Sequence, residues 1–168
     1  MSTATGRATD RHQPGKATPA ARHETPPGRA TRRNQKARAS VARLAAYRRR
    51  FSHDAILEGI DASLLKQGMG QRILRLDEVQ RFIPASTLAR KVRERRKLAR
   101  EEADQVARLL RVKVYAQEVF VDGATAEVWL NEPNPALGHR VPVELLLTDE
   151  GTGAVETVLR RIDYGDYS

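Results

Sequence analysis

The 168-residue chain contains no cysteine, and this absence excludes several kinds of chemistry at once. Neither a disulfide framework, nor a thiol nucleophile, nor a thiolate metal site can be built from it. The histidines are also few, and none has a partner at the spacing of metal ligands; they are His12, His23, His53 and His139. We therefore expect neither a bound metal nor redox chemistry at sulfur.

Sequence motifs of catalysis and of membrane insertion are missing as well. The Gly68-Met69-Gly70 stretch lacks the further glycines and the Lys-Ser/Thr pair of a phosphate-binding loop, and there is no Gly-x-Ser-x-Gly elbow. No segment approaches the ~20 apolar residues of a membrane span, and the basic start lacks the apolar core of a secretory signal. We expect a protein that is not an enzyme, with no cofactor, no small-molecule substrate and no membrane partner.

Charge is distributed very unevenly along the chain, whose net charge is +9. Residues 1–50 hold 13 Lys or Arg against 2 Asp or Glu, and residues 51–113 hold 14 against 9. Residues 114–168 reverse the balance, with 3 against 10. The basic part suits a polyanion such as DNA, and the acidic part suits a basic protein surface. The two ends of the chain are therefore expected to meet different partners.

Large apolar side chains are scarce at the start of the sequence, so we expect residues 1–50 to form a disordered basic tail. Within it, residues 39–50 are able to form a short basic helix. Three interpretations remain open for the tail: solvated filler or a wrongly assigned start, a non-specific DNA-binding arm, or a targeting sequence.

A helix-turn-helix is predicted within residues 51–100. Apolar residues at 76, 79, 82 and 83 indicate one short helix, which Pro84 stops. Ser86 is expected to cap a second helix that runs to Arg93, with Leu88 and Val92 facing inward.

The second helix of such a motif enters the major groove of DNA with its N-terminal end first. Ser86 and Thr87 would then reach phosphates or base edges, Arg90 would read guanine, and Lys91 and Arg93 would contact phosphates. The alternative is an ordinary basic face exposed to solvent.

Residues 101–168 carry the clearest helical pattern. A long helix opens at Glu101 and has an apolar surface so broad that we expect burial on several sides, between two halves or in a dimer. It ends near residues 121–123, and residues 124–130 form the next helix. Trp129 is expected to fill the core of this unit, with a surface hot spot as the alternative.

Proline and glycine then define a loop and a last helix. Pro133, Asn134 and Pro135 hold the loop extended, Gly138 frees the turn, and Pro142 suits a first helical turn. A stripe of apolar residues indicates a final amphipathic helix ending near Tyr164 and Gly165; it consists of Val155, Val158, Leu159 and Ile162.

These residues, in this order, resemble the toxin-binding domain of the Xre/MbcA/ParS antitoxins, the inhibitory partners of RES-type toxins. The likeness rests on spaced positions that agree together: Trp129, Leu130, Pro133, Asn134, Leu137, Gly138, Pro142 and the Ile162-x-Tyr164-Gly165 ending. Residues 83–90 are similar to the Xre-like helix-turn-helix of the same family. Two cap positions depart from the pattern, since Ala99-Arg100 and Val141 stand where the family has Ser or Thr caps.

The resemblance implies an all-α fold and a homodimer in the bacterial cytoplasm, bound to operator DNA and to a RES-domain toxin that consumes NAD. In the family, the C-terminal end of the antitoxin blocks the toxin's active site. The corresponding residues here are Tyr164, Gly165, Asp166, Tyr167 and Ser168. A frayed terminus without a role is the alternative for the tail. For the whole chain it is a helix-turn-helix regulator without a toxin partner.

Overall fold

The computed structural model describes residues 29–120 and 122–165. Helices joined by short turns make up this part of the chain, and the expected all-α fold is confirmed. The helices are α1 (Arg29–Arg48), α2 (His53–Glu58), α3 (Ser63–Gly70), α4 (Leu76–Gln80), α5 (Ala85–Arg93), α6 (Arg100–Phe120), α7 (Gly123–Asn131), α8 (Pro142–Leu145) and α9 (Asp149–Tyr164).

Helix α1 corrects the expected extent of the disordered tail, because regular structure begins at Arg29 and not after residue 50. Leu44, Tyr47 and Phe51 are all buried. Their spacing of three and four residues places them on one face, which packs against α6. Three large side chains thus anchor a segment whose composition is otherwise polar and basic. Residues 1–28 lie outside the described residues.

Helix α6 forms the centre of the molecule. Val106, Leu109 and Leu110 are completely buried on it, and α1, α7 and α9 pack around it. Burying one such side chain contributes about 2 kcal/mol to stability. The broad apolar surface predicted from the sequence is therefore explained by burial on several sides within one chain.

The predicted helix-turn-helix falls on α4 and α5, and its details differ from expectation in two places. Leu76 is half exposed instead of facing the core, which is formed here by Val79 and Ile83. Pro84, whose backbone is extended, occupies the N-cap of α5, so Ser86 lies inside the first turn and caps nothing. The N-cap position falls on Pro84 and not on Ser86, because the proline ring fixes φ at a value compatible with the start of a helix.

Contacts on both sides of α4 and α5 hold this part of the chain in place. The Leu98 N–H donates to the carbonyl of Ile60 at 2.8 Å, which fixes the chain just before it enters α6. Arg81 pairs with Glu144 of α8 at 2.7 Å. Both halves contribute to one hydrophobic core, so the expected boundary at residue 100 falls within a single packed unit.

The loop between α7 and α8 follows the predicted turn chemistry. The Asn134 side chain accepts from the Ala136 N–H at 2.9 Å and opens a single 3₁₀ turn, Pro135–Leu137. Gly138 follows with φ of 65°, a conformation that glycine adopts without steric cost. Pro142 occupies the first turn of α8, as expected. The loop is therefore extended only as far as Asn134.

Trp129 does not fill the core as predicted. It is half-buried and packs at the edge, with its ring centroid 5.7 Å from that of Phe120. The adjacent Leu130, together with Leu137, takes the buried position instead.

Candidate partner-binding surfaces

Helix α9 presents the C-terminal end of the chain. It begins with a side-chain cap, in which the Thr148 hydroxyl accepts from the Gly151 N–H at 3.0 Å. Val155 and Leu159 are completely buried against the core, and Ile162 packs at its edge. The predicted apolar stripe is therefore the face that holds α9 in place, and it fixes the position of the helix end.

The end of α9 is exposed to solvent. The side chain of Tyr164 is 79% accessible, and Gly165 ends the helix in the left-handed conformation with φ of 71°. The Gly165 N–H donates to the carbonyl of Ile162 at 3.1 Å. The expected blocking residues Tyr164 and Gly165 thus stand at a fixed, open position, and Asp166, Tyr167 and Ser168 lie outside the described residues.

Tyr115 of α6 lies near this end and was not identified from the sequence. Partial burial raises the pKa of its phenol, and the nearby carboxylate of Asp163 raises it further. The rings of Tyr115 and Tyr164 therefore belong to one region at the end of α9. No periodicity distinguishes Tyr115, because it lies beside the apolar stripe of α6 and not within it.

Acidic side chains are exposed at several places in residues 114–168. Glu118, Glu132 and Asp163 are among them, in keeping with the negative charge of this part of the chain. Exposed carboxylates suit a basic protein partner.

The predicted DNA-contacting residues of α5 fall into two groups. Ser86, Arg90 and Arg93 are exposed, and Arg93 has only a loose pairing with Glu94 at 3.6 Å. Thr87 is half-buried. Lys91 is turned toward α6, where its ammonium group donates to Glu102, and only 15% of its side chain is accessible. Three of the five residues are thus free to reach a ligand, whereas Lys91 is occupied by an ion pair.

A buried ion cluster that was not predicted from the sequence connects α4, α6 and α7. Lys113 Nζ lies 2.7 Å and 3.0 Å from the two carboxylate oxygens of Glu78, and 2.7 Å from Glu127 Oε1. Lys113 and Glu78 are almost wholly inaccessible. Burial raises the pKa of Glu78, although the Lys113 ammonium group opposes this. The only sequence signal is a lysine inside the apolar stripe of α6.

Within residues 29–120 and 122–165, no group of three acidic or histidine side chains could hold a metal ion. In the same part of the chain, no helix combines the length and apolar character needed to cross a bilayer. The surfaces at the end of α9 and on α5 thus remain the candidate functional features.

Comparison with known proteins places the C-terminal unit in a family. Residues 116–165 match the antitoxin Xre/MbcA/ParS C-terminal toxin-binding domain. An Antitoxin Xre of Pseudomonas putida is 28% identical over 113 residues, which cover 67% of this chain and 71% of that protein. An Antitoxin Xre of Yersinia enterocolitica is 33% identical over 87 residues, covering 51% of this chain and 59% of that protein.

The fold and these matches support the antitoxin class of toxin–antitoxin pairs. The match begins in the last turns of α6 and runs to Gly165 at the end of α9, so the C-terminal unit of this chain is similar to the toxin-binding domain of the Xre/MbcA/ParS antitoxins. The resemblance predicted from the sequence is confirmed.

Proposed function

We propose that this chain neutralises a RES-domain, NAD-consuming toxin by inserting residues 164–168 into the toxin's active site. The protein acts by binding and not by catalysis, in the bacterial cytoplasm. One observation carries the proposal: the matched toxin-binding domain ends in a helix whose last residue, Tyr164, is 79% exposed.

The chemistry of the tail suits a site that holds a dinucleotide. The rings of Tyr164 and Tyr167 are able to occupy space used by a base or by nicotinamide, and the carboxylate of Asp166 can meet groups that hold a pyrophosphate. Because α9 is fixed by its buried face, the tail starts from an ordered position. Less conformational entropy is then lost when the complex forms.

Co-expression tests the proposal. The toxin gene is expressed alone, with the full chain, and with a chain truncated after Asp163, while growth and cellular NAD are measured. We expect rescue by the full chain only. The truncated chain should still bind the toxin, because the acidic surface of residues 114–163 is retained.

A matched pair of point variants locates the effect more sharply. Tyr164→Ala removes an exposed aromatic ring at the end of α9, and Val128→Ala removes an exposed apolar side chain on α7. Neutralisation should fall with the first variant and persist with the second. Full protection by the truncated chain would overturn the blocking mechanism, and loss only with Val128→Ala would move the essential contact to α7.

We further propose that the protein represses its own operon as a homodimer. Two α5 helices would read half-sites roughly 34 Å apart on one face of the DNA. The exposed side chains of Ser86, Arg90 and Arg93 on a basic helix support this assignment. We expect Lys91 to contribute less to DNA affinity than the sequence suggested, because its ammonium group already forms an ion pair with Glu102.

Arg90→Ala tests the recognition helix. Loss of the Arg90 guanidinium group should weaken binding to the operon's own promoter by about 1–3 kcal/mol, while binding to unrelated DNA changes little. Arg161→Ala, on the exposed face of α9, is the control for loss of one positive charge. Equal promoter affinity for Arg90→Ala and the unaltered chain would contradict the assignment of α5.

A helix-turn-helix regulator without a toxin is the second candidate, and the basic faces of α1 and α5 favour it. A neighbouring reading frame of the RES type supports the antitoxin, whereas an isolated gene supports the regulator. Absence of toxicity from the neighbouring frame, together with promoter binding, would select this second function.

A further inference from the structure

A cleft of about 770 Å³ opens between α1, the turn before α4, and the helices α6 and α7. Five cationic side chains line it: Arg32 and Lys36 from α1, Arg72 and Arg75 from the turn, and the buried Lys113 from α6. The first four are exposed to solvent. Elements distant in the sequence thus bring positive charge to one place, outside both surfaces described above.

The rim of the cleft has more positive charge than its own acidic groups neutralise. Among the described residues, Arg32, Lys36 and Arg72 have no ion-pair partner, and Arg75 pairs with the exposed carboxylate of Asp77 at 3.0 Å. The rim is therefore a region of positive potential available to an anion.

The carboxylates that line the cleft are already engaged. Glu127 binds Lys113, and the Asp122 side chain accepts from the Ala124 N–H at 3.3 Å and from the Thr125 hydroxyl at 3.1 Å. These hydrogen bonds do not remove the negative charge of the two carboxylates, but the five cationic side chains of the lining outnumber them.

The position of the cleft favours a DNA phosphate as the anion that it binds. Arg72 and Arg75 lead directly into α4, the first helix of the helix-turn-helix, and in this motif that helix crosses the DNA backbone. The cleft also extends along α1 toward its N-terminal end. A phosphodiester backbone that passes α4 would meet the α1 cations next.

We propose that this cleft binds backbone phosphates flanking the operator half-site, so that α1 extends the DNA contact beyond the helix-turn-helix. The inference rests on the proposed DNA binding by α5. Arg32 and Lys36 supply the additional contacts, and they read no bases, since phosphates carry no sequence information.

The test uses the full chain and the promoter DNA upstream of its own gene. The double variant Arg32→Gln with Lys36→Gln removes two cleft charges from exposed helical positions, and glutamine is a good helix former. Arg160→Gln with Arg161→Gln on α9 is the matched control, with the same loss of charge at exposed positions. Affinity is measured across a salt series, with hydroxyl-radical footprints of each complex.

The cleft variant should lower the slope of log affinity against log salt by about 2, since each phosphate contact contributes roughly 0.9. Its affinity should fall about equally for promoter and unrelated DNA, and protection should be lost at the sites flanking the half-site. The control should retain slope and footprint. An unaltered slope and footprint in the cleft variant, with promoter binding still sensitive to Arg90→Ala, would overturn the cleft and leave the recognition helix intact. Failure of the full chain to bind promoter DNA would overturn both.

Discussion

Lys113 carries a positive charge into the centre of the protein, where two carboxylates hold it. Its ammonium group contacts Glu78 and Glu127, and only 2% of the side chain is accessible. A buried ion pair adds little net stability, because desolvation offsets the attraction, yet loss of one partner leaves an uncompensated charge. Separating α4, α6 and α7 would leave buried charges without partners. The free energy that this costs favours the observed arrangement of the three helices.

Lys113→Met should lower the free energy of unfolding by about 3–5 kcal/mol, because Glu78 then remains buried without its cation. Urea denaturation followed by circular dichroism measures the change. Adding Glu78→Gln to the same chain removes the stranded charge and should restore part of the stability. A loss below about 1 kcal/mol for Lys113→Met would contradict a structural role for the cluster.

Tyr47 predicts a loss of stability at alkaline pH. Its hydroxyl donates to the carbonyl of Leu64 at 2.7 Å, and burial raises its pKa from 10.0 to about 12. Above pH 10 the unfolded chain releases this proton while the folded chain retains it, so stability falls as pH rises toward 12. The contribution lost is about 2–3 kcal/mol.

Stability curves of the unaltered chain and of Tyr47→Phe between pH 9 and pH 12 measure this effect. The decline should be shallower in the variant, which has no proton to lose at this position. Parallel curves for the two proteins would show that Tyr47 does not control the alkaline transition.

At the scale of single elements, the glycine that ends α9 can be compared with a glycine of similar backbone conformation in the loop before α8. Gly165 and Gly138 both have positive φ, and a side chain added at either position would meet open space. Alanine at either should therefore cost about 1 kcal/mol through backbone strain alone. Only Gly165→Ala changes the direction in which the tail leaves the helix. We expect similar thermal midpoints for the two variants and weaker toxin neutralisation for Gly165→Ala alone.

Elements with a dense apolar pattern were predictable, and those fixed by a few distant contacts were not. The extent of α6 and the end of α9 followed from apolar stripes and from Gly165. Helix α1 was missed beyond its last turns because few large side chains anchor this segment, chiefly Leu44, Tyr47 and Phe51, in a strongly basic sequence. The exposure of Tyr164 and of Arg90 was predictable, whereas the pairing of Lys91 with Glu102 depends on tertiary packing.

The start of α6 shows how a side chain inside a helix can replace a missing N-terminal cap. Ala99 has no hydroxyl to cap α6, which the sequence suggested would weaken the helix start. The Glu102 side chain accepts from the Ala99 N–H at 2.8 Å and replaces part of that cap. The same carboxylate also holds Lys91, so one residue stabilises the start of α6 and joins it to α5.

At the scale of the whole molecule, the contacts between the two halves predict one cooperative unfolding transition. Both halves contribute to one core, and pairs such as Arg81 with Glu144 cross between them. Calorimetry should give equal calorimetric and van't Hoff enthalpies. A separate, earlier transition that Lys113→Met leaves unchanged would contradict this coupling.

Helix α6 packs against helices that precede it and helices that follow it in the chain. This limits where recombination between related genes can join two different sequences. A crossover near residue 100 would join this toxin-binding unit to a foreign helix-turn-helix. Lys113 and Glu144 would then require a matching Glu78 and Arg81 from the new donor. Recombination that keeps those pairs should preserve the fold, and recombination that separates Lys113 from Glu78 should lower the free energy of unfolding by about 3–5 kcal/mol.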